Sequence, residues 1–226
     1  MKIESFYSDY FLKFNVISTD SRKVVKDSIF ISLSGENFNG NRFASSALEN
    51  GAALAVVDDA DFFVDNGKYV LVDDSLTFLQ KLANYHRTHF NCPVLAITGT
   101  NGKTTTKELV AGALSLKFKT YYTQGNLNNQ IGVPLTLLSV NPNDAQFVVV
   151  EMGANHLTDI QELCDIAQPD YALVTSVGKA HLEGFGSIDA VVKTKTDLYR
   201  FVEKNHGICF VNADSELLMN NKPNSN

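Results

Sequence analysis

Tryptophan is absent from this 226-residue chain, and cysteine occurs only three times. Cys92, Cys164 and Cys209 are odd in number, widely spaced and form no CxxC pair. They therefore exclude a disulfide scaffold and argue against structural zinc, and they read as buried or free thiols. Positive charge is in deficit: 19 Lys and Arg against 25 Asp and Glu leave a formal charge of −6. That balance argues against a broad nucleic-acid-binding face and confines bound phosphate to a local pocket. No apolar run is long enough to span a bilayer. No basic, apolar, small-residue leader opens the chain, so a cytoplasmic location is the expectation.

What is present is a globular composition, 44% hydrophobic and 19% charged, sufficient for two modest cores. The fold class expected is α/β: a small N-terminal α/β domain, residues 1–88, followed by a P-loop parallel-sheet domain, residues 89–226. In the first, apolar runs at 28–34, 53–57 and 69–72 read as strands, with turns at Asn37-Phe-Asn-Gly40 and Asp65-Asn-Gly67. Residues 43–50 and 76–90 read as helices. From Pro93 the pattern becomes repeated strand-then-helix units, the signature of a mainly parallel sheet. The strands fall near 94–98, 119–123, 147–151, 171–175 and 208–212, and the helices near 103–116, 129–138, 159–166 and 187–203. Ligands in such sheets collect beyond the carboxyl ends of the strands.

The most informative stretch is Gly99-Thr-Asn-Gly-Lys-Thr-Thr105. Gly99 and Gly102 can take backbone angles closed to other residues, so that successive N–H groups of Gly99, Thr100, Asn101, Gly102, Lys103, Thr104 and Thr105 converge on an anion at a helix N-terminus. Lys103 is placed to neutralise β/γ-phosphate charge and Thr104 to offer its hydroxyl to Mg2+. Ile97 stands where the full Walker pattern asks for glycine, so this is a compact variant.

Glu151 ends the apolar run Phe147-Val-Val-Val150, and a carboxylate there needs a compensating partner. Mg2+ beside the phosphate loop is one; a capped or solvated strand end is the other. Asn155-His156 in the next loop reads as an orienting pair or as polar surface. His181, in the glycine-punctuated loop after the fourth strand, is a metal or phosphate ligand candidate, and Glu183 is either an acid or a helix cap. Lys193 and Lys195 lie two positions apart on one helix, so at most one faces a shared site. Asn126, Asn128 and Asn129 either bind phosphate or ribose oxygens or cap a helix. Asp20, Ser21 and Arg22 read equally as a diphosphate or uridine grip and as a salt-bridged turn.

These segments together resemble the Mur ligases of peptidoglycan synthesis. The resemblance is carried by Thr19-Asp-Ser-Arg22, the phosphate loop, Asn128-Asn-Gln-Ile-Gly-Val-Pro-Leu135, Glu151-Met-Gly-Ala-Asn-His156 and Ala180-His-Leu-Glu-Gly-Phe-Gly-Ser187. It implies the branch that uses ATP and Mg2+ to join D-alanyl-D-alanine to a UDP-N-acetylmuramoyl tripeptide. The resemblance places Asp20, Ser21 and Arg22 at the UDP end, Asn129 and the 99–105 loop at ATP, and Lys103, Glu151, His181 and Lys195 in catalysis. Thr104, Glu151, His181 and Lys195 would hold the metals, with Lys195 carbamylated because Lys195-Thr-Asp-Leu-Tyr199 fits the family's pattern. Ser28, Asn41 and Ser176 depart from that pattern, where glycine, histidine and asparagine are usual. It further implies that the rest of the central domain and a third domain are missing, leaving a fragment unable to turn over efficiently. A Mur ligase for another amino acid and a non-catalytic nucleotide-binding module remain as alternatives.

Overall fold

The computed structural model describes residues 1–178 and 185–223, in two compact units, Met1–His86 and Arg87–Asn226. The first unit begins with helix α1, residues 3–14, which contains a π-helical turn at Tyr7–Phe11. A four-stranded parallel sheet follows in the order β1-β2-β5-β6, with β1 at Ile17–Ser18, β2 at Ile29–Ile31, β5 at Leu54–Val57 and β6 at Tyr69–Leu71. Between β2 and β5 lie the short hairpin β3 (Ser34–Gly35) and β4 (Phe38–Asn39) and helix α2 (Ala44–Glu49). Phe30, Ala55 and Val57 pack with Ala44 and Ala47 of α2 to form the core on one face of this sheet. Helix α3, Ser75–Arg87, meets α1 through an edge-on contact between Phe6 and Phe78.

The second unit is a five-stranded parallel sheet ordered β11-β10-β7-β9-β8. Its strands are β7 (Val94–Thr98), β8 (Thr120–Tyr122), β9 (Phe147–Glu151), β10 (Tyr171–Val174) and β11 (Ile208–Phe210). Every residue of β7 is buried, as expected of a central strand covered on both faces. Each buried Val, Leu or Ile there contributes about 1.5–3 kcal/mol of transfer free energy. Helix α4 (Lys103–Ser115) covers one face, where Val110 and Leu114 meet Leu95, Ile97 and Val149. Helices α5 (Gly132–Leu138), α6 (Asp159–Ala167) and α7 (Ile188–Lys204) follow β8, β9 and β10, with α7 against α6, β10 and β11. A short helix, α8 (Glu216–Met219), closes the described chain.

The chain leaves β7 for the β8 edge and later crosses to β10 on the other side, so β7 marks the switch point of the sheet. In register, Ile97 faces Glu151 on β9, and Thr98 faces Val174 on β10. The phosphate loop, Glu151 and the loop after β10 therefore leave the sheet side by side, which is where such sheets bind ligands. Among the described residues no helix is long and apolar enough to cross a membrane.

Candidate functional site

Gly99 has φ 146°, and a β-carbon on it would fall 2.0 Å from the Thr175 hydroxyl oxygen. Only glycine lets the loop pass this close to the segment after β10. That segment clasps the loop: the Thr100 and Asn101 N–H groups donate to the Ser176 carbonyl and hydroxyl at 2.8 and 3.2 Å, and the Thr175 hydroxyl donates to the Asn101 carbonyl at 2.7 Å. Ser176, one of the departures from the family pattern, is thus a structural partner of the loop. Gly102, at φ 81°, starts α4 with no side-chain cap. The first-turn N–H groups of Lys103, Thr104 and Thr105 lack intrahelical acceptors by helix geometry and present the positive end of the helix dipole to an anion. The Lys103 ammonium rests on the Gly99 and Thr100 carbonyls at 2.9 and 3.2 Å.

Glu151 is 1% exposed. Its Oε1 accepts from the Thr104 hydroxyl at 3.2 Å and from Asn128 Nδ2 at 2.8 Å, while Oε2 is buried with no hydrogen-bond partner among the described residues. A buried carboxylate oxygen left without a donor is costly. Among the described residues one oxygen of this strand-end carboxylate is capped and the other is not. An unsatisfied carboxylate oxygen beside a threonine hydroxyl is an all-oxygen donor set suited to Mg2+. Among the described residues no group of three or more His, Cys, Asp or Glu converges to hold a metal. His181 and Glu183 lie outside the described residues.

Lys195 and Lys193 separate as their spacing requires, Lys195 buried at 3% exposure and Lys193 exposed. Lys195 lines a cleft of about 150 Å3 with Gly99, Thr100, Lys103, Asn129 and Asp159. Burial first, and then the nearby Lys103 charge, push its pKa down to about 8 against the opposing pull of Asp159. Asp159 escaped the sequence reading except as a helix start. It is buried, and accepts from Gln130 Nε2 at 2.8 Å and from the Asn155 and His156 N–H groups at 2.7 and 2.8 Å. The backbone of Asn155-His156 thus anchors an acid in the cleft; the sequence signal was an Asp three residues beyond the histidine, indistinguishable from an ordinary helix start. Asn129 both lines the cleft and turns its Oδ1 onto the Ile131 and Gly132 N–H groups at 3.1 and 2.9 Å. Beside α4, Thr106, Leu173, Thr175, Phe210 and Asn212 line a second cavity of about 330 Å3.

In the first unit Asp20 caps a 3-10 turn, Ser21–Lys23, and pairs with Arg22 through two hydrogen bonds of 2.9 Å. Hydrogen bonds from Arg22 hold the Asp20 carboxyl down to about 2. Neither these two residues nor Ser21 lines the unit's open cleft of about 750 Å3, which is formed around the β3–β4 hairpin by residues including Glu36, Phe38, Arg42 and Asp58. Asn41 braces that cleft: it is buried, takes hydrogen bonds on Oδ1 from the Ser32 hydroxyl and Asp58 N–H, and donates to Asp58 at 2.7 Å. In the sequence this hairpin is visible only as the turn Asn37-Phe-Asn-Gly40.

The Mur ligase middle domain matches residues 97–226, and the catalytic domain of the Mur ligase family matches residues 13–87. This chain belongs to the Mur ligase family. UDP-N-acetylmuramoyl-tripeptide–D-alanyl-D-alanine ligase of Escherichia coli (strain K12) is 40% identical over 207 residues, 91% of this chain and 45% of that protein. The Bacillus subtilis (strain 168) enzyme of the same name is 36% identical over 205 residues, 90% of this chain and 44% of that protein. Among solved structures, MurF from Acinetobacter baumannii superposes with a TM-score of 0.83 at 34% identity, covering 92% of this chain and 45% of that one. MurF from Thermotoga maritima in complex with ADP gives 0.78 at 34% identity, over 88% and 45%. This Mur ligase chain spans about half the length of the curated relatives it matches. Its parallel α/β architecture is that of the family, and use of ATP and Mg2+ is general to Mur ligases.

Proposed function

We propose that this chain supplies the ATP-binding and muramyl-peptide-binding parts of an ATP-dependent ligase that joins D-alanyl-D-alanine to UDP-N-acetylmuramoyl tripeptide in the cytoplasm. The observation that carries the proposal is one cleft lined by the phosphate loop, the buried Lys195 and Asn128, whose amide donates to the half-satisfied Glu151. The names of the relatives at 36% and 40% identity supply the substrate class.

In this reading the tripeptide carboxylate attacks the ATP γ-phosphorus, giving an acyl phosphate and ADP. The amine of D-alanyl-D-alanine then adds to the acyl carbon and phosphate leaves. The uncapped first turn of α4 receives phosphate oxygens. Lys103 supplies a positive charge to the transferring group, and no protein nucleophile is needed. The cavity beside α4 takes the nucleobase between apolar walls, with the Asn212 amide as its polar contact. Thr104 and Glu151 would hold Mg2+, with His181 and the carbamate of Lys195 as further ligands, and the ion would supply neutralisation of charge on the phosphoryl group. A carbamate exchanges an ammonium for oxygens, the ligand type a hard cation prefers. It forms on the neutral amine, and the lowered pKa of Lys195 makes that form accessible.

In the first unit Asp20, Ser21 and Arg22 meet the UDP end, Arg22 offering an exposed guanidinium to phosphate. Calorimetric titration with UDP-N-acetylmuramoyl tripeptide tests this part. Saturable binding that weakens by about tenfold in Arg22→Ala, the loss of one charge-assisted contact, is expected. Binding unaffected by the substitution would remove Arg22 from the site.

A further inference from the structure

Lys107 is 0% exposed, the most expensive place for an ammonium group. On α4 its buried companion is Ala111, and the neighbouring Val110 and Leu114 pack on the sheet as ordinary apolar residues. A leucine or methionine at this position would serve the core at lower cost, so the lysine calls for a reason beyond packing. Its Nζ donates to the Thr123 carbonyl at 2.7 Å, pairs with Glu108 at 2.8 Å and lies 5.8 Å from the centre of the Tyr122 ring. Thr123, itself fully buried, accepts on its hydroxyl from the Glu151 N–H at 3.0 Å.

We infer that Lys107 is a positioning residue for the Mg2+–nucleotide site, acting through Thr123 on Glu151. The inference rests on the functional reading above. Lys103, Thr104 and Lys107 belong to one helix, with Lys103 and Lys107 a turn apart on the same side. Lys107 ties that helix to the residue after β8, and Thr123 ties that residue to the end of β9. The two links fix the separation between the Thr104 hydroxyl and the Glu151 carboxylate, now 3.2 Å. Mg2+ is small and demands near-ideal octahedral geometry, so a site for it gains from a rigid frame behind its ligands.

The test titrates ADP calorimetrically into wild type, Lys107→Met, Thr123→Val and the double variant, across a Mg2+ series and in EDTA. Each single variant is expected to raise the Mg2+ concentration giving half-maximal enhancement of ADP binding by about tenfold, the usual effect of removing a group that orients a metal ligand. ADP affinity in EDTA stays at the wild-type value. The double variant is no worse than the worse single, because both break the same chain of contacts. An unchanged Mg2+ requirement, an equal loss of affinity in EDTA, or effects that multiply in the double variant would each overturn the inference. If Lys107→Met does not fold, Thr123→Val decides alone by the same criteria. Wild-type protein whose ADP binding ignores Mg2+ would instead sink the functional reading, and the positioning role with it.

Discussion

Gly99 and Lys195 show how single positions shape the cleft beside the 99–105 loop. Any side chain at Gly99 meets the Thr175 hydroxyl in a backbone conformation that L-residues avoid. Gly99→Ala is therefore expected to weaken ADP binding by on the order of tenfold, through strain of about 1–3 kcal/mol released by opening the clasp; calorimetry would show it, and unchanged affinity would mean the clasp is dispensable. At Lys195 the sign of the pH dependence follows from burial. An ordinary lysine loses its proton near pH 10.5, whereas burial pushes this one down to about 8. Carbamate formation requires the neutral amine, so it should rise as pH increases through about 8. With 13C-bicarbonate, a carbamate resonance present in wild type and absent from Lys195→Met is the expected result; a signal that persists in the variant would assign it elsewhere. Sequence reading singled out Glu151 because an acid ending a buried apolar strand is anomalous in one dimension, whereas spacing alone left Lys193 and Lys195 undecided and only the family resemblance selected Lys195. It missed Lys107 and Asp159, since Lys107 follows a run of polar threonines and Asp159 resembles a first-turn acid; only the packing shows both side chains buried.

The elements of the second unit were legible because parallel strands buried on both faces are written as unbroken apolar runs. The expected span 94–98 coincides with β7, and 147–151 with β9. Less legible elements carry local chemistry that disturbs periodicity. Helix α1 was not anticipated: its π-helical turn shifts the phase of Phe6, Tyr7 and Phe11, which are all buried. Helix α5 begins at Gly132 rather than near 129, because the Asn129 side chain holds a turn ahead of it. Helix α7 begins within a residue of its expected start, and there the reason is visible: the Ser187 hydroxyl accepts from the Ala190 N–H at 3.1 Å. This helix places Lys195, so its cap matters for the cleft. Ser187→Ala should cost about 1 kcal/mol of stability, read as a lower denaturation midpoint; a midpoint equal to wild type would show the cap to be energetically idle.

At the scale of the molecule, each unit has its own parallel sheet and its own core. In the second unit the strand order puts the phosphate loop at the switch point, with Glu151 on one side and the Thr175–Ser176 clasp on the other. Composition and periodicity anticipated that two-part α/β plan. Composition could not reveal the cleft around the β3–β4 hairpin, which depends on two-residue strands and a buried asparagine network far below the resolution of any periodic pattern. The central claim is that the second unit binds a nucleotide through Mg2+ held by Glu151. Calorimetric titration of ADP into wild type and Glu151→Gln, each with Mg2+ and with EDTA, tests it most directly. The account predicts that Mg2+ tightens ADP binding to wild type by about tenfold or more, and that the glutamine variant loses this enhancement while keeping its metal-free affinity. ADP affinity that is the same in all four titrations would contradict it.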